Sequence, residues 1–146
     1  MIDAKLIVSA TNAEYKGKNV EFTGLTTDSR AVKAGELFVA FSGETFDGHN
    51  YCAKAVELGA TGVLVSKDVE GLPEDVAVFK VPNTLKAFQE IARAYRRSFA
   101  DLKVFAITGS NGKTSTKDLL AACLGAKYNV VKTQGNFNNE IGLPKT

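Results

Sequence analysis

Apolar and polar positions along this chain follow two periods, and the switches between them divide it into short elements. Ile2 to Ala10 has a weak helical spacing with Asp3 near its start, whereas Asn19 to Thr27 alternates through Val20, Phe22 and Leu25 as a strand does. A polar loop, Thr26-Thr27-Asp28-Ser29-Arg30, and a Lys33-Ala34-Gly35 turn lead into an apolar strand, Leu37 to Phe41. Ser42 to Asn50 is polar and contains glycine. Asn50 is placed to cap a helix to about Leu58, with Ala53, Ala55 and Val56 inward and Gly59 as its stop. Gly62 to Ser66 and Val76 to Val81 read as further strands, parted by a Gly71-Leu72-Pro73-Glu74-Asp75 turn. Asn83 caps a long helix to about Phe99, with Leu85, Phe88, Ile91, Ala92 and Tyr95 as its apolar stripe. Strands alternating with helices predict an α/β layered fold.

After a junction near Ala100-Asp101-Leu102-Lys103 the pattern changes. Val104 to Ile107 is apolar in a row and predicts a buried strand. It turns at Thr108-Gly109-Ser110-Asn111-Gly112, and a helix opens at about Lys113 with Leu119, Leu120 and Cys123 at helical spacing. Tyr128 to Thr133 reads as one more strand. A strand, a glycine turn and a helix beginning Gly112-Lys113-Thr114 suit a phosphate: loop amides and the positive helix end face the anion. Lys113 would reach the outer phosphates, and the Thr114 hydroxyl stands where phosphate loops place a Mg²⁺ ligand. Thr108, Gly109, Ser110, Asn111, Gly112, Lys113, Thr114 and Ser115 are therefore the candidate nucleotide-phosphate-binding residues, which the resemblance given below implies to be ATP-binding. The loop departs from the usual pattern, since Ile107 stands where a first glycine is common. The plainer alternative is an ordinary β-turn-α connection with an exposed lysine.

Composition narrows the partners. The 146 residues are 45% apolar and carry a formal charge of +2, enough for a core and too little to imply nucleic acid as the main partner. Arg93, Arg96, Arg97 and Lys103 are spaced as the solvated face of a helix. No apolar run is long enough to span a membrane, and no signal pattern opens the chain, so a cytoplasmic protein without membrane insertion is expected. Cys52 and Cys123 lack companion ligands and are expected to be reduced and buried. The division expected is 1–100 and 101–146. The second part holds too few strands to close a phosphate-loop sheet, so it is either a short lobe or the front of a longer protein.

Four stretches resemble the Mur ligase family, the ATP-dependent amide-forming enzymes of peptidoglycan precursor synthesis. They are Thr27-Asp28-Ser29-Arg30; Gly35 to Ala40 with Phe46-Asp47-Gly48-His49; Thr108 to Thr116; and Asn136 to Pro144. The resemblance implies an N-terminal α/β UDP-sugar-binding domain, then the opening strand, phosphate loop, helix and strand of a central ATPase domain, with the rest of that domain and a C-terminal amine-binding domain beyond Thr146. Within the family, Asn138-Asn139-Glu140-Ile141-Gly142 is most like the member that adds D-Ala-D-Ala to UDP-N-acetylmuramoyl-tripeptide. Its implied reaction passes through an acyl phosphate made from ATP, and this chain alone is expected to be inactive. A diamino-acid-adding ligase and a stand-alone UDP-sugar-binding module are the alternatives.

The resemblance also assigns roles. Lys113, Thr114 and Glu140 would serve catalysis, Thr114 and Glu140 sharing Mg²⁺. Ser29, Arg30, His49, Asn138 and Asn139 would hold the UDP-substrate. Bland readings stay open beside these: a structural ion pair for Arg30, a turn carboxylate for Asp28, a surface carboxylate for Glu140, a turn for Asn136, and for His49 the orientation of the helix that follows it.

Overall fold

The computed structural model describes residues 2–135, 137 and 139–146, and divides into two units, one up to Ser98 and the other Phe99–Thr146. The first unit opens with β1 (Ile2–Asp3) and α1 (Ala4–Thr11); the Asp3 carboxylate accepts the Leu6 N–H at 2.8 Å and caps the helix. β2 (Glu14–Lys16), β3 (Glu21–Phe22), β4 (Gly24–Thr26) and β5 (Glu36–Val39) follow. A 3₁₀ turn (Gly48–Tyr51) leads into α2 (Cys52–Glu57), then β6 (Gly62–Val65), β7 (Ala77–Lys80) and α3 (Thr84–Arg97).

Five strands form one sheet in the order β2-β7-β6-β5-β4, the last four parallel to one another and β2 antiparallel at the edge. β1 and β3 make a separate antiparallel pair. Every residue of β6 is buried, as a central strand of a parallel sheet covered on both faces requires. Side chains alternate across the sheet. Phe38, Ala40, Val63 and Val65 pack with Cys52 and Ala55 of α2, while Val39, Leu64 and Phe79 are in register on the opposite face. There Tyr15 stacks on Phe79 at 4.9 Å, and Phe22 meets Phe79 edge-on at 5.9 Å. α1 packs against α3. Each such buried aliphatic or aromatic side chain contributes about 1.5–3 kcal/mol.

The α/β class matches expectation, and several details differ. Asn19 to Thr27 is not one strand: β3 and β4 lie in different sheets, because Thr23 turns away to the loop ahead of β5. Its N–H donates to the Gly35 carbonyl and its hydroxyl to the Ala34 carbonyl, both at 3.0 Å. Asp47, not Asn50, caps the start of the α2 region, accepting the His49 N–H at 3.0 Å. Ala53 is exposed, so α2 buries only Cys52 and Ala55. Asn83 caps α3 as expected, accepting the Lys86 N–H at 2.9 Å, but its buried residues are Thr84, Ala87, Phe88 and Ile91. Leu85, Ala92 and Tyr95 are half-buried at the edge of that stripe.

The second unit contains α4 (Lys113–Gly125) and α5 (Gly142–Lys145). Neither Val104 to Ile107 nor Tyr128 to Thr133 forms a strand, and Val104, Phe105, Tyr128 and Val131 are exposed. A parallel strand keeps its extended form through ladder bonds to neighbours, and neither segment has such a neighbour among the described residues. No residue of α4 is buried, so Leu119 and Cys123 face outward rather than into a core. No helix among the described residues is long and apolar enough to cross a membrane.

Candidate functional site

Because β4, β5 and β6 run parallel as neighbours, the loops that leave their C-terminal ends share one edge of the sheet. These loops are 27–35, 40–47 and 66–76, the region where open α/β sheets bind ligands.

In the first loop the Asp28 carboxylate accepts from Arg30 three times: the backbone N–H at 3.0 Å, Nε–H at 3.0 Å and Nη2–H at 2.9 Å. This fork raises the Arg30 pKa and holds a guanidinium that is 88% exposed. Ser29 sits between the two partners and is half-buried. Arg30 is thus both ion-paired and presented to solvent.

In the second loop Ser42 and Asp47 form an antiparallel bridge, and Gly48 lies against the strand it has just left. Its N–H donates to the Phe41 carbonyl at 2.7 Å, and a Cβ there would fall 2.8 Å from that oxygen. Asp47 is the hub. Its carboxylate accepts from Lys67 Nζ at 2.5 Å, from the Ser42 hydroxyl at 3.1 Å and from the His49 N–H. Lys67, then His49, hold this carboxyl well below the usual carboxylate range.

His49 is buried to 4% relative exposure, and its Nε2 accepts the Ser66 N–H at 2.9 Å. That donor fixes the tautomer, placing the ring proton on Nδ1, which faces Asp47 Oδ1 at 2.6 Å. Both ring nitrogens are engaged inside the fold, so of the two readings offered for His49 the geometry favours a structural role over contact with a ligand, although the ring ties its loop to Ser66 and does not orient the following helix. Beneath it, burial and then the charge of Asp47 push the Cys52 thiol up to about 12.

The second unit carries the glycine turn that the sequence marks as a candidate phosphate loop. Gly109 and Gly112 have φ of 149° and 78°, values that favour glycine, and Gly112 is the N-cap of α4. No side chain caps this end, and the first backbone bond of the helix is Thr116 N–H to the Gly112 carbonyl at 2.9 Å. The amides of the first turn therefore have no intrahelical partner, the arrangement at which helix ends can receive an anion. Lys113 folds over the loop, its Nζ donating to the Gly109 carbonyl at 2.6 Å and more weakly to Ser110 at 3.4 Å. Thr108, Ser110, Asn111, Thr114 and Ser115 all lie exposed around it.

One turn on, Lys117 donates to the Thr133 and Gly135 carbonyls at 2.7 and 2.8 Å, and Asp118 pairs with Lys132 at 2.7 Å. These bonds tie α4 to the segment after it. Lys117 had no signal of its own in the sequence beyond its place four residues after Lys113.

Asn139 turns the chain into α5, its Oδ1 accepting the N–H of Ile141 at 3.3 Å and of Gly142 at 2.7 Å. Gly142 is needed there, since a Cβ would lie 2.6 Å from Phe137 Cβ. Glu140 is exposed. Asn136 and Asn138 lie outside the described residues. The chemistry of these donors suits an anion at the helix end, where bare amides meet an ammonium, and Thr114 and Glu140 each carry the oxygen that a hard cation takes.

Known proteins match both units. Residues 21–96 fit the family model described as Mur ligase family, catalytic domain, and residues 107–146 fit the Mur ligase middle domain. A UDP-N-acetylmuramoyl-tripeptide–D-alanyl-D-alanine ligase from Synechocystis is 44% identical over 140 residues, covering 96% of this chain and 30% of the relative. A relative of the same name from Bacillus subtilis gives the same identity and coverage. Among solved structures, the corresponding ligase of Acinetobacter baumannii superposes with a TM-score of 0.89 at 33% identity, over 97% of this chain and 32% of its own. A MurF ligase from Thermotoga maritima in complex with ADP gives 0.71 at 34% identity, over 82% and 27%. The chain spans about 30% of the length of the curated relatives it matches. With both family models matched in the same order and these relatives covering nearly all of it, the chain belongs to the Mur ligase family.

Proposed function

We propose that this chain supplies the UDP-substrate-binding unit and the phosphate loop of a cytoplasmic ligase that uses ATP to join D-Ala-D-Ala to UDP-N-acetylmuramoyl-tripeptide. The observation that carries the reading is the glycine-capped, bare N-terminus of α4 with Lys113 across its mouth, in a chain 44% identical over 140 residues to ligases of that name.

The chemistry is carboxylate activation: the tripeptide carboxylate takes the γ-phosphoryl group, and the amine of D-Ala-D-Ala then displaces phosphate. Negative charge spreads over the phosphoryl oxygens during transfer, and a fixed positive environment lowers that barrier. Lys113 meets it by exchanging its loop carbonyls for phosphate oxygens. The amides of Lys113, Thr114 and Ser115 meet it without moving, since the helix already points them outward. Mg²⁺, held by Thr114 and Glu140, would neutralise charge on the phosphates. Ser29 and Arg30 hold the UDP moiety at the sheet edge. Asn138 and Asn139 are further candidates for the UDP-substrate by the resemblance, and the Asn139 side-chain oxygen is already committed to α5. Neither nucleic acid nor a membrane is needed as partner.

The test is a chimera in which residues 1–146 replace the matching segment of the Bacillus subtilis relative. Phosphate release that requires ATP, UDP-N-acetylmuramoyl-tripeptide and D-Ala-D-Ala together is the expected result. Lys113→Ala in that chimera should cut turnover on the order of 10²-fold or more while leaving UDP-substrate affinity nearly intact. A chimera that melts cooperatively and binds neither nucleotide nor UDP-substrate would overturn the proposal.

A further inference from the structure

Two large aromatic side chains of the first unit stand out in the open at the sheet edge. Phe46 is 51% exposed and Tyr51 42%, whereas Phe22, Phe38, Phe79 and Phe88 are buried. Their rings stack on each other, with centroids 5.4 Å apart and planes 14° from parallel. Apolar rings left in water cost free energy, and a loop otherwise made of Ser42, Gly43, Glu44, Thr45 and Asp47 has no need of them for solubility.

The backbone beneath them is held from several sides. Gly43 N–H donates to the Phe46 carbonyl at 2.7 Å, the Ser42–Asp47 bridge closes the loop, and Asp47 is pinned by Lys67 and His49. Tyr51 precedes Cys52, which is fully buried under the sheet. The pair is therefore a rigid surface, already in place before any ligand arrives. The same edge carries two exposed cations. Arg30 leaves the end of β4, and Lys67, 57% exposed, leaves the end of β6. A flat apolar surface on the same sheet edge as two exposed cations, each ion-paired to one carboxylate, matches a ligand that joins a planar ring to an anionic group, which is the chemistry of a nucleoside diphosphate.

We propose that the Phe46–Tyr51 stack is a platform on which the uracil ring of the UDP-substrate lies, making Phe46 a specificity-determining residue; this rests on the function proposed above. Stacking needs a planar, delocalised ring on both partners, and that requirement supplies the test.

The intact chain is titrated calorimetrically with UDP and with 5,6-dihydro-UDP, whose base is puckered, in excess ADP and Mg²⁺ so that the phosphate loop is filled. Thermal melts of Phe46→Ala, Phe46→Leu and Phe46→Tyr check that each variant folds. The expected result is that UDP binds about tenfold or more tightly than dihydro-UDP to wild type, the scale of one base–aromatic stack. Phe46→Tyr should keep that preference; Phe46→Leu and Phe46→Ala should abolish it by weakening UDP alone. Equal affinity of wild type for the two ligands, or wild-type UDP affinity in folded Phe46→Leu, would overturn the platform and leave the UDP reading standing. No binding of UDP to wild type would overturn both. Self-association of wild type that Phe46→Leu abolishes would assign the rings to a second copy of the chain and also overturn the proposal.

Discussion

Arg30 owes its conformation to one carboxylate two residues earlier. The Asp28 fork holds the guanidinium plane while leaving it 88% exposed, so the pair presents a fixed anion receptor rather than a buttress. Lysine keeps the charge and loses the fork. Arg30→Lys should therefore weaken UDP-substrate binding by about 1–3 kcal/mol, the scale of a lost charged hydrogen bond. Its melting temperature should stay close to wild type, because an exposed ion pair stabilises little. Calorimetric titration and a thermal melt read the two quantities separately. Unchanged affinity with a large fall in melting temperature would make Arg30 a structural partner. Asp47 acts differently, since its charge gathers Lys67, Ser42 and His49 around one carboxylate. Its folded pKa lies below the unfolded value near 3.9, so the unfolded chain binds more protons between the two. The stability this provides is present above about pH 4 and is lost as pH falls further. Asp118, lowered by Lys132, contributes in the same direction. Urea midpoints between pH 3 and pH 6 should therefore fall more steeply on acidification for wild type than for Asp47→Asn; parallel slopes would remove Asp47 from the account.

At the scale of elements, β6 is held by what its first residue lacks. A Cβ on Gly62 would sit 2.7 Å from the Phe22 ring and 3.1 Å from the Ala77 carbonyl. Gly62→Ala should cost about 1–3 kcal/mol by overpacking. In a double-mutant cycle with Phe22→Leu, which opens that space, the two costs should be less than additive; strict additivity in urea denaturation would place the strain elsewhere. This contact also shows what the sequence could convey. Elements whose signal is local were legible: the Asn83 cap, the β5, β6 and β7 runs, and the start of α4 after Gly112. What depended on distant partners was not. Alternation through Val20, Phe22 and Leu25 continues across Thr23, yet β3 pairs with β1 and β4 with β5. The phosphate-loop motif could be read because its chemistry lies in consecutive residues. The role of His49 could not, because Ser66 is 17 residues away, and Lys67 reaches Asp47 across 20. Phe46 and Tyr51 looked like any two aromatics until their rings were seen to stack in solvent.

At the scale of the whole molecule, the two units differ in how they hold themselves together. Up to Ser98 a closed set of strands and helices encloses Phe38, Leu64, Phe79 and Ile91, all nearly inaccessible. From Phe99 the chain runs to Gly112 without a helix or strand, exposing Phe99, Leu102, Val104 and Phe105, and α4 buries nothing. A protease cuts extended, exposed chain directly, whereas in a cooperative core it must wait for an opening that costs much of the folding free energy. Brief chymotrypsin treatment should therefore cut first after Phe99, Leu102 or Phe105, releasing a fragment that ends close to Ser98. That fragment should resist further digestion and melt cooperatively within a few degrees of the intact chain. Its affinity for UDP should match the intact chain's, because Arg30, Phe46 and Lys67 all lie within it. Mass spectrometry of the first products, a melt and a titration of the isolated fragment would check this. Simultaneous cleavage inside Gly62–Val65, or a fragment without a cooperative melt, would mean that the sheet depends on residues beyond Ser98 for its stability.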